Sequence, residues 1–228
     1  MFRLVLTFIL FSSLHVFSKE LNILIDAGHG GQDLGALTTL NNQRIAESEL
    51  AFLFAQQMQL KSKEKYAGRL NILLTRENKS FLSLNNRVKI SNSNSLPVDL
   101  FLSLHFNSAF SKKISGAEVF FQNINKSSQT KTTTDSNLSV IMSDLENLGR
   151  VKKSLNWAYK IGSHWPLENI KMRSASFYIL ENVQAPSLLL ELGYLTNPNE
   201  LKQLVSSQTQ NLIIDSILKS LANPDYFE

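Results

Sequence analysis

Three side chains that can hold a metal or move a proton stand where apolar runs end. His29 lies in "IDAGHGGQDLGA" (25–36), His105 directly follows "DLFLSL" (99–104), and Glu191 directly follows "SLLL" (187–190). Around His29, the residues Ala27, Gly28, Gly30, Gly31 and Gly35 are too small or too flexible to shield an imidazole. In open α/β sheets, functional groups gather beyond the carboxyl ends of strands, so side chains from separate strands can converge there. A phosphate loop would need glycines opening a helix together with a lysine, and this stretch has no such lysine. A serine triad needs an exposed nucleophile; no G-x-S-x-G occurs, and Ser103 sits inside an apolar run. Either histidine alone reads as a satisfied structural residue. Two of them with nearby acids read better as a zinc site, which takes three protein ligands and leaves one position for water. The third ligand would come from the start of the following helix, where Glu47 and Glu49 both qualify by type. Glu47 falls one turn before Leu50 and Ala51 on the apolar stripe, whereas Glu49 aligns with Gln56, so spacing favours Glu47.

Positioning these groups requires strands that end at them. Short apolar runs predict six strands: 21–26, 70–75, 99–104, 116–121, "SFYIL" (176–180) and "SLLLE" (187–191). Helical spacing starts at Glu47, with Leu50, Ala51, Phe54, Ala55 and Met58 on one stripe. A short helix is expected over 83–91 with Ser83 as its cap, and a longer one over 138–161 with a break near Gly149. "NPNE" (197–200) opens a closing helix that runs to about Leu221, with Asn197 as cap and Pro198 in the first turn. The polar stretch 122–137 lacks periodicity and reads as a loop. Strands alternating with helices predict a single-domain α/β fold, its sheet covered on both faces.

Composition narrows the function classes. The 228 residues carry 23 basic and 19 acidic side chains, a net charge of +4. The basic residues form no long run, which speaks against nucleic acid. There is no cysteine, which excludes disulfides, thiolate zinc sites and a catalytic thiol. Residues 1–18 read as a signal peptide: "MFR" is the charged start, "LVLTFILF" the apolar core, and Val16 and Ser18 stand before the cut. The apolar core is too short to span a bilayer. The mature domain would be 19–228, with three histidines left: His29, His105 and His164.

In order along the chain, "IDAGHGGQDLGA", "AESELAFLFA", "LLTRENKSFLSLNNRVKISN", "DLFLSLHFNS", "GAEVFF" and "APSLLLELGYLTNPNE" resemble the zinc-dependent N-acetylmuramoyl-L-alanine amidases of bacterial cell-wall turnover. The resemblance spans about Leu21 to Leu221. It implies a six-stranded, mixed, largely parallel twisted sheet with helices on both faces. It implies zinc held by His29, Glu47 and His105, with Glu191 as the catalytic carboxylate. The bond cut would join the lactyl group of N-acetylmuramic acid to L-alanine of the peptidoglycan stem peptide. The protein would act in the periplasm or cell envelope. Ala27 stands where the family often has proline, Ser48 where it often has lysine, and Phe106 where it has a small residue, which is expected to narrow the cleft. Two other readings remain at this point, a zinc peptidase of stem peptides and a peptidoglycan-binding protein without turnover.

Other residues read as structural. Arg76 and Arg87 are expected in ion pairs, Asp26 in fixing the loop or orienting a histidine, His164 at the surface, and Trp157 with Tyr159 in helix core. The insert 122–170 carries Leu138, Ile141, Met142, Leu145 and Leu148 at helical spacing, which suits a covering helix. Some relatives carry a helical insert that blocks the zinc until a partner protein removes it. Asp144 and Glu146 could donate to zinc in that way here.

Overall fold

Apolar runs pair into one six-stranded sheet in a computed structural model that describes residues 19–93, 97–123, 137–168 and 170–223. Residues 1–18, expected to be a signal peptide, and most of the expected polar loop lie outside the described residues. The sheet comprises β1 (Leu21–Ala27), β4 (Leu70–Leu74), β5 (Leu100–Asn107), β6 (Ala117–Gln122), β7 (Ile170–Ala175) and β8 (Ser187–Tyr194), in the order β4-β1-β5-β8-β6-β7. Every pairing is parallel except β6 with β8. A separate antiparallel hairpin joins β2 (Leu37–Leu40) to β3 (Gln43–Ala46). It turns at Asn41 and Asn42, both at positive φ (50° and 62°), as the tightest hairpin turns require.

Alternation along the strands divides the interior in two. Ile23, Ile25, Leu102, Leu104, Leu188 and Leu190 face the larger core, packed against α1 (Glu47–Lys65), α3 (Asn137–Ser163), α5 (Pro198–Leu204) and α6 (Ser207–Ala222). Leu24 and Phe101 face a smaller core with Val88 of α2 (Leu84–Ser91) and Ile179 of α4 (Tyr178–Asn182). Helices therefore cover both faces, as expected, but α2 and α4 are short. They leave the carboxyl end of their face open.

The expected helix starts hold. Ser83 Oγ accepts from Asn86 N–H, and Asn197 Oδ1 accepts from Asn199 and Glu200 N–H with Pro198 in the first turn. Three expectations do not. The fifth strand is Ile170–Ala175, whereas residues 178–182 are helical. β7 is an edge strand, largely exposed and carrying Lys171 and Arg173, so it lacks the apolar signature. "SFYIL" has that signature because Ile179 and Leu180 are buried from a helix, and a short apolar run does not distinguish the two. α3 runs unbroken through Gly149, since one glycine costs a helix only about 1 kcal/mol. The closing helix is two helices, parted at Val205 and Ser206.

Residues 150–161 of α3 cover the sheet, as expected, and the preceding stretch does not. Val151, Trp157, Ala158 and Ile161 are buried, whereas Ile141, Met142, Leu145 and Leu148 are exposed. Tyr159 is exposed as well, so of the aromatic pair only Trp157 is core.

Candidate metal centre and catalytic carboxylate

β1 ends in the turn that presents His29, and β5 delivers His105 beside it. The two rings meet edge to face, 5.0 Å between centroids. Close approach explains two of the glycines. A side chain at Gly28 would strike the His105 ring at 2.3 Å, and one at Gly35 would strike Glu47 Oε2 at 2.4 Å and the His29 ring at 2.6 Å. His29 itself holds a positive φ of 56°, a strained conformation for a residue with a side chain, stabilised by its partners.

Glu47, first residue of α1, is buried between them. Its Oε1 lies 2.9 Å from His29 Nε2 and 2.9 Å from His105 Nδ1, and it accepts from Phe106 N–H. Its Oε2 accepts from Ala36 N–H at 2.8 Å. Ligand atoms of His29, Glu47 and His105 all lie within 4.8 Å of one another. Two imidazoles aimed at one carboxylate oxygen require a proton or a cation between them, and this donor set of two nitrogens and one oxygen suits zinc. Burial works against charge on Glu47. Even so, hydrogen bonds from both histidines hold Glu47 well below the usual carboxylate range. Burial likewise disfavours the His29 imidazolium, but Glu47 and Asp33 together carry its pKa to about 9.

Asp33, which sequence reasoning missed, accepts from His29 Nδ1 at 2.9 Å and thereby turns Nε2 toward Glu47. Its nearness to His29 in the sequence is the one signal that could have revealed it. Asp26 does not orient a histidine. Wholly buried, it pairs with Arg87 at 2.6 Å and accepts from Thr75 and Ser103 hydroxyls. Arg87 then donates to the Ala27 and His29 carbonyls, and Arg76 to those of Ala27, Gly28 and Ser48. Arg87 is ion-paired as expected, whereas Arg76 is held by carbonyls; both brace the turn. Glu49 is exposed and pairs with Lys79, away from the cluster.

Glu191 is the neighbour of His105 in the β5–β8 register. Its Oε2 is buried without a hydrogen-bond partner among the described residues. Burial, with the Glu47 and Glu118 charges, pushes its pKa up to about 7 against the opposing histidines. Glu191, His29, Glu47 and His105 line one cavity of about 350 Å³, walled by Leu84, Asn107, Phe177 and Tyr178. The sequence placed Phe177 and Tyr178 in a strand and so hid this wall. Phe106 borders the cavity, with its ring buried against Phe54 at 5.4 Å. His164 is half-buried, with Nδ1 against the Lys160 carbonyl, far along the chain from the cluster. Asp144 and Glu146 do not line the cavity.

The family model for N-acetylmuramoyl-L-alanine amidase matches residues 23–223. The chain belongs to that family. A putative N-acetylmuramoyl-L-alanine amidase of Buchnera aphidicola subsp. Baizongia pistaciae is 30% identical over 224 residues, covering 90% of this chain and 95% of its own. The uncharacterized protein YqiI of Bacillus subtilis (strain 168) is 28% identical over 199 residues, covering 87% and 82%. Among solved structures, the catalytic domain of CwlV, an N-acetylmuramoyl-L-alanine amidase from Bacillus (Paenibacillus) polymyxa var. colistinus, superposes with a TM-score of 0.66 at 24% identity. The match covers 88% of this chain and 96% of that one. The family's fold is thus the observed sheet, and within it the open carboxyl end is where His29, Glu47, His105 and Glu191 meet.

Proposed function

We propose that this amidase holds one zinc through His29, Glu47 and His105 and hydrolyses the amide between the lactyl group of N-acetylmuramic acid and L-alanine of the stem peptide. The observation that carries the reading is the donor cluster lying beside a buried, unpartnered carboxylate in one cavity. Zinc bound there supplies Lewis acidity toward the amide carbonyl and lowers the pKa of water to about 7. Glu191 takes the proton of the attacking water at Oε2 and returns it to the leaving amine. Without metal, burial raises its pKa to about 7; a zinc held beside it would favour the ionised form that accepts the water's proton. Asp33 holds the His29 ring, and the Arg87–Asp26 pair holds the turn that carries it.

We assign residues 1–18 to a signal peptide and 19–228 to the catalytic domain, placing the protein in the periplasm or cell envelope with its substrate. No helix among the described residues is long and apolar enough to cross a membrane. A protein partner that relieves inhibition by the 122–170 insert is part of this proposal, with Asp144 and Glu146 outside the lining of the cavity.

The deciding experiment is a digest of purified peptidoglycan with zinc. An amidase frees whole stem peptides with an alanine amino terminus. Internal peptide fragments would indicate a peptidase, and no release by zinc-loaded, folded protein would indicate a binding protein.

A further inference from the structure

Strand register sets four titratable side chains in a row across the open face. His105 is beside Glu191, Glu191 beside Glu118, and Glu118 beside Lys171. One pleat along, Leu189, Phe120 and Arg173 are likewise neighbours. Residues two apart on a strand share a face, so Lys171 and Arg173 both stand on the side that carries Glu191. Both are exposed on the edge strand β7. Lys171 has no acidic partner among the described residues. Arg173 gives its Nε to buried Glu118 at 2.9 Å, and its two terminal nitrogens have no partner among the described residues. Glu118 also accepts from Asn107, a residue of the cavity wall. The guanidinium is thus anchored on one edge while its end stays free, a geometry matched to a second carboxylate.

Direction follows from the chemistry. Glu191 delivers its proton to the leaving amine, so the peptide released lies on the Glu191 side of the metal ligands, toward β6 and β7. Two strand spacings of about 4.8 Å separate Glu191 from Lys171, about 10 Å in all. An extended peptide covers that in about three residues at 3.3–3.6 Å each.

We propose that Lys171 and Arg173 form a carboxylate-reading lip for the leaving peptide, selecting an acidic group on its second or third residue. The inference rests on the amidase reading of the site. Its test uses soluble N-acetylmuramoyl peptides in matched pairs, with the second or third residue bearing a free carboxylate or the corresponding amide. Zinc-loaded wild type should prefer the free acid in kcat/KM by about three- to tenfold, chiefly through KM, with the preference declining in high salt. Lys171→Gln and Arg173→Lys should each pull that ratio toward one, and Lys171→Glu should invert it. Calorimetry with the free product peptides, acid against amide, should show the same order in binding without turnover. A wild-type ratio of one at both residues, with equal binding of acid and amide peptides, overturns the lip while leaving the amidase reading intact. Failure to cleave any pair would overturn the amidase reading instead, and calorimetry would then still decide whether the lip binds carboxylates. An unchanged ratio in folded Lys171→Gln and Arg173→Lys likewise removes these residues from recognition.

Discussion

Glu191→Gln separates the two consequences of burying an unpaired carboxylate. The side chain keeps its shape but can neither ionise nor take a proton. In metal-free protein the Glu191 pKa stands at about 7 against 4.5 for the ordinary group. At about 1.36 kcal/mol per unit, the ionised form costs the fold on the order of 3 kcal/mol. The cost is absent below pH 4.5, where the group is protonated folded and unfolded alike. It grows as pH rises and is complete above about 7. The variant should therefore match wild type near pH 4.5 and melt about 6–12 °C higher at pH 8, at 2–4 °C per kcal/mol for a chain of this size. The measurement is thermal unfolding across pH after chelation, then with zinc added. A cation beside Glu191 stabilises its charged form, so zinc should shrink the gap. Hydrolysis by the zinc-loaded variant should fall about a hundredfold to ten-thousandfold. Equal melting at pH 8 in chelated protein would refute the buried, uncompensated carboxylate. Hydrolysis within a few-fold of wild type would make Glu191 structural.

His105→Ala should abolish zinc occupancy by elemental analysis, and Glu47→Gln should impair both zinc binding and activity more than Glu49→Gln; the reverse order would reassign the third ligand. Asp33→Asn should weaken zinc affinity by about ten- to a hundredfold in chelator competition, because nothing then fixes the His29 ring as firmly; unchanged affinity would remove Asp33 from the site. Asp26→Ala strands the buried Arg87 charge at a cost of about 3–5 kcal/mol, so melting should drop by about 6–20 °C; a drop under about 3 °C would show that the pair does not brace the turn. In metal-free protein, the depressed Glu47 pKa adds stability above 4.5 that is lost as pH falls through its lowered value. The raised His29 pKa adds stability below 6.5 that is lost as pH rises through about 9. The stability lost on Glu47→Gln should therefore peak between pH 4.5 and 6.5, and a flat difference from pH 5 to 9 would contradict the cluster.

Much of this site could be read before folding, because its signals are local. Strands β1, β5 and β8 are mostly apolar, since central strands covered on both faces bury most of their residues, and each apolar run leads to its functional group. Helical spacing alone favours Glu47 over Glu49, and burial separates them in the same way. Ser83 and Asn197 announced their helices through capping chemistry confined to a few residues. What the sequence could not settle was decided between segments. Asp33 becomes the histidine's partner only because the turn folds back, and Arg87 reaches Asp26 across 61 residues. β7 was hidden because an edge strand with one wet face and two cations has no apolar pattern to show. The row from His105 through Glu191 and Glu118 to Lys171 exists only in the register of four strands. Periodicity along a chain reports which face a residue takes, whereas hydrogen bonding between strands decides which residues become neighbours.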